Sequence, residues 1–62
     1  MQELTEREKQ VLNFLLKGKS YKTISRRLCI SQTTVEKHVS RIYKKNGVNN
    51  RVELILKINE GK

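Results

Sequence analysis

Residues 23–42 of this chain have the sequence TISRRLCISQTTVEKHVSRI, which predicts two short helices joined by a tight turn. Apolar side chains recur at helical spacing on both sides of the turn, at Ile24, Leu28, Val35, Val39 and Ile42. Between the two runs, the hydroxyl of Ser31 can accept the unpaired backbone N–H groups that begin the second helix. A helix of about eight residues is unstable alone in water, so the first must be held by packing. This pattern is typical of a helix-turn-helix, whose second helix lies in the major groove of DNA.

The flanking sequence predicts two more helices, and hence an all-α, compact four-helix domain with a central helix-turn-helix. Thr5 and Glu8 have the spacing of a capping box before an apolar run, and Asn50 and Glu53 repeat that pattern later. Glycines fall where predicted helices end, at positions 18, 47 and 61. The predicted helices span residues 6–17, 21–28, 32–45 and 51–60, and we expect residues 1–62 to form a single domain.

Length and composition limit the domain to a thin, mostly aliphatic core. The chain has 62 residues, of which 35% are hydrophobic, and no tryptophan, so it lies near the lower size for unaided folding. The single cysteine cannot form an internal disulfide, and no Cys/His cluster has metal-ligand spacing. We therefore expect no metal and no cofactor, and a reducing, cytoplasmic location. No apolar run reaches membrane-spanning length, so no membrane partner is expected.

The net charge of +8 is concentrated in the middle of the chain. Residues 17–51 carry ten basic side chains against one acidic side chain, whereas residues 1–16 have a net charge of −1 and residues 52–62 of zero. An excess of positive charge on and around a helix-turn-helix is expected of a face that binds phosphates. The alternative is a solvated basic surface that only aids solubility.

The second and third predicted helices carry polar side chains suited to DNA. If the apolar residues of the third helix face inward, its outward face consists of Gln32, Thr33, Glu36, Lys37, Ser40, Arg41 and Lys44. Thr, Gln and Lys can donate to base edges, while Arg41 and Lys44 near the end of the helix can reach phosphates. Lys22 and Arg26 on the polar side of the second helix are predicted to contact the DNA backbone as well.

The sequence contains no set of residues that could form a catalytic site. His38 is the only histidine, so neither a metal site nor a catalytic triad has partners for it. Its place between inward-facing residues predicts a side chain at the edge of the core that donates to a phosphate. No nucleophile–base pair, glycine-rich phosphate loop or paired carboxylate can be assembled, so we expect no enzyme. Tyr21 and Tyr43 are each predicted to lie at the core rim or to contact the DNA backbone.

The fourth predicted helix is apolar around most of its circumference. Its polar residues Glu53 and Lys57 occupy a narrow arc, so one apolar stripe can serve the core while a second stays exposed. An exposed apolar patch indicates an interface. Leu54 and Ile58 form one side, and Val52, Ile55 and Leu56 the other, and the sequence does not decide which side faces inward. The candidate dimer residues are Leu54, Ile55, Leu56 and Ile58.

From Leu4 to Glu60 the sequence resembles the LuxR-type (GerE-type) DNA-binding domain of bacterial transcription regulators. The resemblance is carried by LTEREKQVL at the start, by TIS, RRL, CIS and TTVEKHV in the centre, and by KK, GV, NR and EL towards the end. The three pieces in this order and spacing make it specific. It implies a sequence-specific regulator, as in response regulators, that binds double-stranded DNA as a weak homodimer through the fourth helix. Such a regulator can also contact RNA polymerase.

The resemblance assigns roles to individual residues of the third helix. The positions that match Glu36, Lys37 and Ser40 approach bases. Those that match Thr33 and Thr34 lie at phosphates beside the start of the helix. Thr33 is also a candidate for base reading, because its side chain belongs to the outward face of the same helix.

Three further expectations follow from comparing this chain with the family pattern. Glu36 stands where the family commonly has a basic or neutral residue, so it either accepts a hydrogen bond from cytosine N4 or partners Ser40 outside the groove. Asn46 replaces a usual leucine, which predicts a less well anchored end of the third helix. The family's contact between its last and first helices implies an ion pair of Arg51 with Glu8.

Two other functions compete with that of a DNA-binding regulator. The promoter-reading region of a sigma factor also begins with a helix like LTEREKQVL, but would usually end soon after the recognition helix. A degenerate helix-turn-helix used for protein docking would explain Glu36, and would lack the steep salt dependence of phosphate binding.

Overall fold

The computed structural model describes residues 3–60, which form four α-helices. The helices are α1 (Glu6–Leu16), α2 (Tyr21–Leu28), α3 (Gln32–Asn46) and α4 (Arg51–Glu60). The predicted all-α class is confirmed, and the bounds differ from the predicted ones only at the ends of α1 and α3, each by one residue. Gly61, predicted to end α4, lies outside the described residues. Among the helices of residues 3–60, none is long and apolar enough to cross a membrane.

Side-chain caps begin the helices at the predicted positions. At the start of α1, Thr5 Oγ1 accepts from the backbone N–H of Glu8 at 3.2 Å, and Glu8 Oε1 accepts from that of Thr5 at 2.9 Å. At the start of α3, Ser31 Oγ accepts from the backbone N–H of Thr34 at 3.1 Å. Each cap satisfies a donor that the first helical turn leaves unpaired, which fixes where the helix begins.

The predicted capping box of α4 is formed with one partner shifted. Asn50 Oδ1 accepts from the backbone N–H of Glu53 at 2.9 Å, as expected. The Glu53 carboxylate accepts from the backbone N–H of Asn49 at 2.8 Å rather than from that of Asn50. Both asparagines are therefore held in the turn before α4.

A residue in the left-handed backbone conformation follows the end of each of the first three helices. Gly18 has φ of 77°, Cys29 of 56° and Gly47 of 66°. At the end of α3, the N–H of Val48 then donates back to the carbonyl of Tyr43 at 3.0 Å, which closes the last turn. Cys29 adopts this conformation at a cost of roughly 1–2 kcal/mol, because it carries a Cβ. It lies in the tight turn of the helix-turn-helix, as predicted.

The core consists of few aliphatic side chains, and α3 runs through its centre. α3 packs against α1, α2 and α4. Among residues 3–60, the fully or almost fully buried hydrophobic residues are Val11, Leu15, Ile24, Val35, Val39, Ile42 and Leu54. Each such side chain stabilises the fold by about 1.5–3 kcal/mol. Because α3 supplies three of the seven, its orientation is fixed by the core, and so is the face that it turns outward.

Candidate nucleic-acid interface

α3 exposes a polar face opposite its buried residues. Its exposed side chains are Gln32, Thr33, Glu36, Lys37, Ser40, Arg41 and Lys44. The four residues predicted to read bases all lie on this face, together with the two predicted backbone contacts near the end of the helix. The structure thus brings these six side chains to one surface, as the apolar spacing of the sequence predicts.

The starts of α2 and α3 differ from those of the other two helices. Neither α2 nor α3 has an acidic residue in its first turn, whereas Glu6 and Glu8 begin α1 and Glu53 begins α4. The positive ends of the two helix-turn-helix helices are therefore not neutralised by a carboxylate of their own. Thr34, half-buried in the first turn of α3, bonds through its hydroxyl to that of Ser31 at 2.9 Å.

Positive charge on α2 and α3 remains uncompensated. Within residues 3–60, the salt bridges are Lys9 to Glu6 at 3.7 Å and Lys45 to Glu8 at 2.7 Å. The basic side chains of α2 and α3 outside those pairs are Lys22, Arg26, Arg27, Lys37, Arg41 and Lys44, and all six are exposed. A surface of this kind attracts the phosphates of a nucleic acid.

Glu36 is the single carboxylate among these basic side chains. It is exposed and forms no ion pair in the described part of the chain. The predicted alternative, a hydrogen bond between Glu36 and Ser40, is absent. The α3 side chains that form hydrogen bonds are those of Thr34, Lys45 and Asn46. Glu36 therefore keeps both carboxylate oxygens available on the outward face.

His38 lies at the edge of the core, as predicted. Its ring is half-buried, and Nδ1 is buried without a hydrogen-bond partner among residues 3–60. A buried nitrogen cannot reach a ligand, so any contact with a phosphate must be made through the other ring nitrogen, Nε2.

The predicted ion pair between Arg51 and Glu8 is wrong. Glu8 is only 2% exposed, and its carboxylate accepts from Lys45 Nζ at 2.7 Å. The hydrogen bond from Lys45, helped by the backbone N–H of Thr5, lowers the pKa of Glu8 despite its burial. Lys45 also donates to the carbonyl of Glu3 at 3.1 Å. Lys45 is therefore part of the scaffold that joins α3 to the start of α1.

Arg51 packs against aromatic residues instead. Its guanidinium carbon lies over the ring of Tyr21, 5.7 Å from the ring centre. Tyr43 belongs to the same cluster: its own burial, with a smaller effect of the neighbouring Tyr21, raises the pKa of its hydroxyl. Both tyrosines are half-buried and pack against the core, which agrees with their predicted position at its rim.

The expectation of a poorly anchored end of α3 is also wrong. Asn46 is 7% exposed, and its amide donates to the carbonyl of Ile42 at 2.8 Å. Lys57 of α4 donates to the backbone carbonyl of Asn46. The residue that replaces the usual leucine thus becomes the point at which α4 is bonded to the end of α3.

The structure decides which side of α4 faces inward. Leu54 is fully buried and Ile58 packs against the core, so these two are removed from the predicted dimer contact. On the other side, Val52 is 66% and Leu56 is 56% exposed, and Ile55 is half-buried. The exposed apolar face of α4 therefore consists of Val52, Ile55 and Leu56, and Val52 was missed as a candidate.

The chain matches known regulators over almost its whole length. The family described as bacterial regulatory proteins, luxR family, matches residues 2–58. The chain is 46% identical over 56 residues to the glycerol metabolism activator of Pseudomonas putida, covering 90% of the chain and 25% of that protein. It is 42% identical over 57 residues to the transcriptional regulatory protein DesR of Bacillus subtilis, covering 92% of the chain and 29% of that protein. It is 44% identical over 52 residues to the CsgBAC operon transcriptional regulatory protein of Escherichia coli, covering 84% of the chain and 24% of that protein.

These relatives are much longer than the matched region. The chain spans about a quarter of the length of the curated relatives that it matches. No solved structure matches it significantly. The family match, however, extends from the segment before α1 to most of α4. The chain therefore belongs to the luxR family of bacterial regulatory proteins.

Proposed function

We propose that residues 1–62 form one domain that binds double-stranded DNA with sequence preference, as the DNA-binding part of a cytoplasmic transcription regulator. The observation that carries this proposal is the outward face of α3, where polar side chains and uncompensated cations lie opposite the residues that the helix packs into the core. In this arrangement α3 lies in the major groove. Thr33, Glu36, Lys37 and Ser40 contact base edges.

Contacts with the DNA backbone surround this face in the proposed complex. Arg41 and Lys44 follow the base-reading residues on α3, and Lys22 and Arg26 lie on α2. Thr34 stands at the start of α3, and His38 reaches a phosphate through Nε2. Such contacts set the position of the protein on the duplex and supply most of the affinity.

Pairing of two copies on DNA is part of the proposal. The exposed face of α4 formed by Val52, Ile55 and Leu56 is apolar, and exposed apolar faces mark interfaces. Two or three aliphatic side chains per copy form a small patch beside an ordinary interface of ~800 Å² per partner. We therefore expect weak dimers in solution that pair cooperatively on two half-sites.

The family match favours a regulator over the two alternatives. It runs to residue 58 and so includes most of α4, whereas a sigma region would end soon after α3. The three relatives described above carry the names of transcriptional regulators and activators. A protein-docking function gains no specific support, because the exposed face that carries Glu36 also carries cations suited to phosphates.

Binding should depend steeply on salt concentration. If about five basic side chains per subunit meet phosphates, log K should fall with log[salt] at a slope of about −4 to −5 per subunit. Fluorescence anisotropy with a labelled duplex, taken from selection among random sequences, measures this slope. A slope indistinguishable from zero would remove DNA binding and leave protein docking as the better hypothesis.

Lys37 and Lys44 should differ in what their loss does to binding. Lys37 lies in the first turns of α3, where the groove is deepest, and Lys44 lies about two turns later. Lys37→Ala should therefore relax base preference, at a cost of ~1–3 kcal/mol on the preferred site, whereas Lys44→Ala should weaken all duplexes alike. Binding-site selection with each variant distinguishes them. Identical selection profiles would remove Lys37 from the base-reading residues.

A further inference from the structure

Among residues 3–60 Arg51 has no acidic partner, because Lys45 occupies the carboxylate of Glu8. Within residues 3–60 the guanidinium of Arg51 forms no ion pair and lies over the ring of Tyr21 instead. An arginine that stacks on an aromatic ring keeps the N–H groups at its edges available for a second ligand. Its charge is therefore held in place by a group that does not neutralise it.

The other side chain beside Arg51 does not neutralise it either. Tyr43 lies close enough for Arg51 to lower the pKa of its hydroxyl by charge and by hydrogen bonding, yet burial and the neighbouring Tyr21 outweigh this and raise that pKa. The phenol of Tyr43 therefore stays protonated and uncharged at pH 7. Arg51 is half-buried, so the cluster restricts its side chain without enclosing it.

The position of this cluster relates it to the proposed DNA contacts. Tyr21 is the first residue of α2, and the exposed Lys22 follows it directly. Arg51 is the first residue of α4, so the fold brings a cation from the end of the chain to the start of the first helix of the helix-turn-helix. A guanidinium has the planar fork that matches a phosphate, which a lysine ammonium lacks.

We infer that Arg51, held on the ring of Tyr21, is an additional contact to a phosphate of the DNA backbone beside Lys22. This inference rests on the proposed function, since it adds one residue to the same interface. It assigns to Arg51 a ligand, where the family resemblance implied a structural ion pair. The contact carries no base information, so it acts equally on every sequence.

Arg51→Gln tests the inference through the salt dependence of binding. The variant should make the slope of log K against log[salt] less negative by about 0.9 per subunit and weaken all duplexes alike, roughly tenfold at low salt. Arg51→Met, whose unbranched side chain can still cover the Tyr21 ring, should give the same change. Tyr21→Phe keeps the ring and should leave the slope unchanged. Circular dichroism confirms that each variant is folded at the temperature of the binding measurement.

Lys9→Gln is the matched control for the loss of one positive charge elsewhere. Lys9 is an exposed cation of α1 that pairs with Glu6 and is not among the proposed DNA contacts, so its replacement should leave the slope unchanged. If folded Arg51→Gln and Arg51→Met keep the wild-type slope, the inference is overturned while the proposed function stands. A wild-type slope near zero would instead overturn both. A Lys9→Gln slope changed as much as that of Arg51→Gln would also overturn the inference, because the effect would then not depend on position.

Discussion

Replacement of Lys45 by methionine should lower the free energy of unfolding by about 3 kcal/mol, the lower end of the range for breaking a buried ion pair. The lower end applies because the Lys45 side chain is still 22% exposed, whereas its partner Glu8 is 2% exposed. Methionine fills similar space but supplies no charge and no donor. The buried carboxylate then keeps only its hydrogen bond from Thr5. Urea denaturation followed by circular dichroism measures the loss.

A second substitution at Glu8 separates charge from packing. Glu8→Gln keeps an oxygen that can accept from the backbone N–H of Thr5, so the capping box survives. An uncharged amide needs no cation, so the double variant with Lys45→Met should recover most of the stability that Lys45→Met loses. Equal instability of the single and double variants would assign the loss to packing of Lys45. If Lys45→Met unfolds at the same urea concentration as the wild type, the ion pair of Lys45 with Glu8 does not stabilise the fold.

The same pair predicts how stability depends on pH. Lys45, followed by the Thr5 N–H, holds the pKa of Glu8 below its ordinary value of 4.5. A carboxylate with a lowered pKa in the folded state stabilises the protein fully above its unfolded value, and this stability is lost as pH falls through the folded value. The wild type should therefore lose stability as the pH falls below about 4.5, and Lys45→Met should lose less over that interval.

The helices could be predicted from sequence because local chemistry decides where each begins and ends. Thr5 and Ser31 accept the N–H groups that their helices leave unpaired, and Gly18 and Gly47 take left-handed conformations at helix ends. These interactions span only a few residues, so the sequence alone contains them. The outward face of α3 could also be predicted from sequence, because the spacing of its apolar residues shows which side of the helix is buried.

Contacts between helices were harder to predict, because the partners are distant in sequence. One signal for the buried pair was present: Glu8 shares helical spacing with the buried Val11 and Leu15, and a carboxylate on an inward face requires a partner. Which cation fills that role depends on the angle at which α3 crosses α1. No sequence pattern linked Arg51 to Tyr21, since any exposed cation can stack on a ring that tertiary packing brings near it.

The direction in which α4 packs was undetermined for a different reason. Its two apolar sides consist of similar aliphatic residues, so the spacing of apolar residues does not distinguish the buried side from the exposed side. The turn of Asn49 and Asn50 and the bond from Lys57 to Asn46 set the rotation of the helix. These contacts involve polar residues that a search for apolar spacing ignores.

Two leucines of α4 should respond in opposite ways to replacement by lysine. Leu54 is fully buried, and a lysine there would place an ammonium group in the core. Burying an unpaired charge costs several kcal/mol, which is comparable to the whole stability of a small domain, so Leu54→Lys should unfold it. Leu56 is 56% exposed, and a surface substitution there should change the free energy of unfolding by about 0.5 kcal/mol or less. Circular dichroism distinguishes the two outcomes.

Leu56→Lys should at the same time abolish cooperative pairing on DNA, because two copies related by a two-fold axis would bring like charges together in an apolar contact. The suitable probe is a duplex with inverted half-sites whose centres lie about one helical turn apart. Gel-shift stoichiometry on this duplex should change from cooperative to independent binding. Affinity for a single half-site controls for the added positive charge and should not fall. If Leu56→Lys and Val52→Lys both bind the paired site as cooperatively as the wild type, the exposed face of α4 is not the contact between copies.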